Sequence, residues 1–303
     1  MPAYEVIKQM DIRRYRDSIR TLAYIILLTA VNYFIPFLSM AVMILWPVPI
    51  VYLVQKKESS GVIGVIVLAA LINGILFGPV MGLMTVIGFG LVGFVIGNVI
   101  KEGLSPFKTL ITTIITVIIS QALIFYVSSG ILNLNYQTLL QQTLESLSGE
   151  FDQQSVEQLI NSQMSLIRMI FPVVLAISAS ITGILNYYVS AWYLRRKGLN
   201  IELFKAFSSW YFPRWIVSSL IVISLLLTSN SIFLNINIFM FFLAFLQGLA
   251  VLMNYLSTKN SSLLLKSFLI FLVFIFPPVP ITLILLGLLD MWFNFRKQTD
   301  QPG

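Results

Sequence analysis

Asp290 and Arg296 stand six positions apart at the end of a chain whose apolar stretches are otherwise nearly free of charge. An ionisable residue inside a membrane-spanning segment is costly and usually marks a pair, a pathway or a contact. A carboxylate and a guanidinium this close can form an ion pair that orients the last helix. The sharper alternative is a contact for a cytoplasmic partner or a coupling site. Helical spacing puts Asn294 on the face of Asp290, while no second buried ionisable group is visible to complete a proton relay. Trp210 and Pro213, at the entrance to an earlier apolar stretch, are candidate contacts of the same kind.

The chain contains no His and no Cys, which removes most zinc and haem ligation, thiol catalysis and histidine relays. Its carboxylates are scattered, and no cluster suits metal or general-base work at a membrane surface. No enzyme activity, cofactor or metal is expected. There is no Gly-xxxx-Gly-Lys-Ser/Thr element, so any use of ATP must come through a partner. The net charge of +7 comes from Lys and Arg flanking apolar runs, where retention on the cytoplasmic side and anionic lipid account for it better than nucleic acid.

Gly88-Phe89-Gly90-Leu91-Val92-Gly93 matches a dinucleotide fingerprint in letters only. That motif needs a preceding strand and a tight turn at a helix N-terminus, and this one lies inside an apolar span. Gly78, Gly82, Gly90, Gly93 and Gly97 instead suit close approach of helix backbones, with small residues four apart. The polar residues within the spans are Asn32, Asn73, Gln121, Asn186, Gln247 and Asn254. Each needs a partner in a low-dielectric interior. Most should be helix-to-helix hydrogen bonds, and a subset could line a ligand pocket.

The elements that must carry these residues follow from composition. Hydrophobic residues make up 58% and charged residues 10% of the 303, and several apolar runs reach the length of about 17–25 residues that crosses a bilayer as a helix. Unbroken Ile/Leu/Val/Phe runs do not alternate as barrel strands do. The expectation is an all-α polytopic membrane protein with about eight to ten transmembrane helices and both termini cytoplasmic. A basic cytoplasmic segment, 1–21, leads to a six-helix unit, 22–198, and a helical unit, 199–303. Turns are expected at Pro36 and Gly78–Pro79, and spans near 108–131 and 168–194. Residues 132–167 carry no Lys or Arg, and Glu145, Glu150, Asp152 and Glu157 fall among them. They read as an external loop, with Leu140, Leu144, Leu147 and Phe151 at helical spacing and a capping signature at Ser155 and Gln158. Either two short amphipathic helices cover the outer mouth or a solvated hairpin joins two spans. Residues 199–212 read as an amphipathic surface helix, and 267–295 as one kinked helix or two short ones.

The segment Leu285-Leu286-Gly287-Leu288-Leu289-Asp290-Met291-Trp292-Phe293-Asn294-Phe295-Arg296 resembles the closing signature of the YybS-like family of bacterial membrane proteins. Trp210-Tyr211-Phe212-Pro213 resembles the family's central Trp-x-x-Pro element, and the Gly78–Pro79 turn also fits. The N-terminal part is similar to the S components of energy-coupling factor transporters. That resemblance implies a substrate-binding subunit for a small solute, beneath loops near 35–40, 77–80 and 132–167, with coupling and ATPase subunits as partners. It lacks their usual Ala-xxx-Ala contact in the first helix and adds spans after residue 200. The alternative is a structural or regulatory membrane protein that docks envelope partners. In either case the bacterial inner membrane is the expected location.

Overall fold

Proline and glycine decide where the apolar runs break. The computed structural model describes residues 3–130, 138, 142, 153–227 and 230–296, and among them all the regular structure is helical. Helix α1 (Ala3–Phe34) ends before a single 3-10 turn at Pro36–Leu38. Helices α2 (Ser39–Leu45) and α3 (Pro47–Lys56) form one interrupted span, because Pro47 and Pro49 bring no N–H to the helical ladder. Helix α4 (Ser59–Phe77) stops at Gly78, whose φ of 95° is a conformation glycine adopts without penalty. Pro79 then starts α5 (Pro79–Leu83), which continues through a π-helical segment, Met84–Gly90, into α6 (Leu91–Lys101). Gly88, Gly90 and Gly93 therefore sit within one continuous helical span, where no strand or phosphate-binding turn exists. Helix α7 (Pro106–Gly130) and the 44-residue α8 (Gln153–Arg196) follow. After them come α9 (Arg214–Leu226), α10 (Asn230–Thr258), α11 (Leu263–Ile275) and α12 (Pro278–Phe293).

Six helical stretches among the described residues are long and apolar enough to cross a membrane. The α11–α12 pair, bent by 101° between them, could form a seventh. The apolar half of α1 and the 13-residue α9 are shorter. This is an all-α polytopic membrane protein.

The chain divides into two units, one of residues 1–151 with 178–203, the other of residues 152–177 with 204–303. Residues 152–177, counted with the six-helix unit from sequence, thus group with the second. In the first unit, an apolar core gathers Ile25, Trp46, Ile50, Ile66 and Phe89 from successive helices. In the second, Val217, Met240 and Met291 form the centre.

One expectation needs correction. Residues 199–212 are not a helix: the only regular turn there is Phe207–Ser209, and Trp210 is extended. The Ser208 and Trp210 carbonyls and the Phe212 N–H bond to side chains from elsewhere in the second unit in place of a helical ladder. The sixth span itself agrees with the expectation: Ser165–Arg196 is long and apolar enough to cross a membrane. The helix that carries it begins earlier, at Gln153, with Ser155 inside its first turn. Most of the loop expected before it, including Leu140, Glu145, Glu150 and Phe151, lies outside the described residues.

Candidate functional site

Asp290 lies in the last turn of α12 and is fully buried. Six residues along a straight helix would carry Arg296 away from it. Asn294 prevents this by closing α12 in the left-handed conformation, φ 45°, with its N–H donating to the Asp290 carbonyl at 2.7 Å. Asparagine tolerates that geometry better than most residues, and the chain doubles back. Arg296 then donates to Asp290 Oδ2 through Nη2 at 3.0 Å and Nε at 3.3 Å, with side chains 6% and 0% exposed for Arg296 and Asp290. Its remaining reach goes to backbone: Nη1 donates to the Ser208 carbonyl and Nη2 to the Trp210 carbonyl, both at 2.7 Å.

Gln247, buried in α10, completes the arrangement. Its Nε2 donates to Asp290 Oδ2, and its Oε1 accepts from the Phe212 N–H at 2.9 Å. The Tyr211 hydroxyl donates to the Met291 carbonyl at 3.4 Å, and Trp210 Nε1 donates to the Lys205 carbonyl at 3.1 Å. Pro213 caps the start of α9. The structure therefore brings Trp210, Asp290 and Arg296 into one cluster, with Pro213 at its edge. Chemically the cluster is a clasp: a neutralised ion pair spends its donors on an irregular segment.

The helices that carry the clasp touch through glycine. A Cβ at Gly248 would strike the Leu283 carbonyl, and one at Gly287 would strike the Ala244 carbonyl. Sequence reasoning passed over Gln247's role and this glycine pair, since each joins residues far apart in the chain.

In the first unit, a Cβ at Gly93 would lie 2.7 Å from Ile50 and one at Gly97 2.6 Å from Val54, on α3. One at Gly90 would lie 2.5 Å from Ile66, and one at Gly82 2.9 Å from the Ala70 carbonyl, on α4. Gly78 faces open space and serves the turn instead.

A second polar cluster occupies that unit's interior. Asn73, Thr29 and Thr85 are fully buried, and Asn73 Nδ2 donates to both hydroxyl oxygens at 2.9 Å. Thr85 belongs to the π-helical segment, whose Ile87 carbonyl accepts from the Ser120 hydroxyl at 2.7 Å. π-Turns within α-helices occur frequently at functional sites. Of the other intramembrane amides, Gln121 accepts from Ser178 at 3.2 Å, and Asn186, oriented to donate, reaches the Ile44 carbonyl at 3.0 Å. Asn254 is half-buried.

The basic residues of this unit gather at one end. Lys101 Nζ donates to the carbonyls of Val54 and Lys57 at the end of α3, Lys57 lies over the Tyr15 ring, and Arg196 lies over Trp192. Helix α4 runs from that end toward Gly78. Asn73 therefore lies in the half away from the basic side chains.

A family described as a predicted membrane protein family, DUF2232, matches residues 22–291, a range that includes Thr29, Asn73, Thr85, Trp210, Gln247 and Asp290. This chain belongs to that family. The uncharacterized protein YybS of Bacillus subtilis (strain 168) is 23% identical over 295 residues, covering 90% of this chain and 94% of YybS. No solved structure matches. The YybS-like resemblance of residues 285–296 and 210–213 thus agrees with a match across almost the whole DUF2232 chain.

Proposed function

We propose that this DUF2232 protein is a multi-pass protein of the bacterial cell membrane whose first unit captures a small solute, acting as a binding subunit without catalysis of its own. One observation carries the reading: a fully buried, uncharged polar cluster, Thr29–Asn73–Thr85, set beside a π-helical segment and away from the unit's basic end. Basic residues favour the cytoplasmic side, so this half of the unit faces outward in the reading. Five of the six membrane-length stretches lie between residues 36 and 196. Counting the shorter apolar half of α1 as a pass gives the six that S components of energy-coupling factor transporters have. Energy for transport would come from separate coupling and ATPase subunits.

The clasp favours a second reading, a structural or regulatory protein that docks envelope partners through residues near Trp210. One set of variants separates the two. Replacing residues 132–152 by a short Gly/Ser linker abolishes solute retention if the first unit captures solute, and leaves partner co-purification intact. Asp290→Asn or Trp210→Ala releases a co-purifying partner protein if docking is the function, and leaves solute retention unchanged.

A further inference from the structure

Every hydrogen that the Thr29–Asn73–Thr85 cluster can donate is already used. The Thr29 hydroxyl donates to the Ile25 carbonyl at 2.9 Å and the Thr85 hydroxyl to the Met81 carbonyl at 2.8 Å. Both hydrogens of Asn73 Nδ2 go to those hydroxyl oxygens. Asn73 Oδ1 is left buried with no hydrogen-bond partner. Such an acceptor is rare in a folded interior and calls for a donor from outside the cluster.

A second carboxamide oxygen, Asn32 Oδ1, is also buried and unpartnered. Asn32 lies one helical turn beyond Thr29 on α1. Helices α1 and α4 meet at this end, where the Tyr33 and Phe77 rings lie 5.3 Å apart and Phe34 packs edge-on to Phe77 at 6.2 Å. Two acceptors without donors therefore sit close to one another in level, beneath an aromatic rim. No Asp, Glu, Lys or Arg occurs in residues 21–54 or 61–100. A fully charged guest would have no counter-ion from these helices, and an unpaired buried charge is strongly disfavoured.

We infer that Asn32 and Asn73 form an acceptor subsite for an uncharged small molecule carrying at least two N–H or O–H donors, a primary carboxamide being the simplest match. The inference rests on the solute-capture reading and names the chemistry of its solute. It is tested on the purified full-length protein by saturation-transfer NMR with benzamide and benzoate, which share a ring and differ in donors and charge. Benzamide gives a signal with the wild type that falls at least fivefold in Asn73→Leu and in Asn32→Leu, while benzoate stays near baseline. Asn32 is only half-buried, so its variant keeps the test valid if Asn73→Leu folds poorly. Equal signals from the two probes, a benzamide signal indifferent to both substitutions, or no benzamide signal at all (a buried water only) overturns the subsite. A natural solute that co-purifies equally with wild type and both variants overturns the subsite and leaves solute capture standing. A wild type that carries no solute overturns solute capture itself.

Discussion

Arg296 uses four hydrogen bonds to join one carboxylate and two carbonyls, a task that depends on the planar fork of guanidinium. Lysine is a point charge and cannot hold all three. Arg296→Lys is therefore expected to lower the midpoint of thermal unfolding in detergent. Asp290→Asn leaves a buried guanidinium without its counter-ion, and removal of one partner of a buried pair costs about 3–5 kcal/mol. Gln247→Leu orphans the Phe212 N–H and should cost about 1–3 kcal/mol. Chemical denaturation of the three variants checks both the order and the sizes. Similar, near-zero shifts for all three contradict the clasp. The ion pair was legible in the sequence because charge is so scarce there that any charged residue stands out. Its geometry was not legible. It depends on the left-handed Asn294 and on Gln247, which is 43 residues away from Asp290.

Helices in this protein approach closely where side chains vanish, and the consequences are specific. Gly248→Ala and Gly287→Ala place a methyl group on backbone carbonyls, which cannot move aside as a flexible side chain can. Each should destabilise the protein and separate α10 from α12, seen as increased thiol labelling of a cysteine introduced at Ala244. Gly64→Ala meets nothing within 4 Å and should leave stability unchanged. Asn235 supports α8 in a different way. Pro172 lies inside that helix, and Asn235 braces the turn around it: its Oδ1 accepts from the Val173 N–H at 2.9 Å and its Nδ2 donates to the Met169 carbonyl at 2.7 Å. Asn235→Leu strands the Val173 N–H, while the Met169 carbonyl keeps the Ser231 hydroxyl at 3.4 Å, and should cost about 1–3 kcal/mol, measured by the same denaturation. Breaks at Pro36 and Gly78 could be read in advance, since proline and glycine act locally. The irregular 199–213 segment could not, because its amphipathic pattern suits a helix and its bonding comes from distant side chains.

At the scale of the whole molecule, composition alone predicts an all-α membrane protein, because lipid permits little else for such long apolar runs. Function is less legible, since the described residues carry almost no chemistry beyond amides, hydroxyls and one buried ion pair. Those few groups divide between the two units: an uncharged polar interior in the first and a charged clasp in the second. Solute capture assigns the first a ligand and the second a supporting role. The most direct test is native mass spectrometry of the full-length protein, extracted gently from its own membrane, beside the Asn73→Leu variant. Capture predicts a bound small molecule of defined mass on the wild type that is depleted at least fivefold in the variant. A wild-type protein that is free of small molecules but bound to envelope proteins contradicts it.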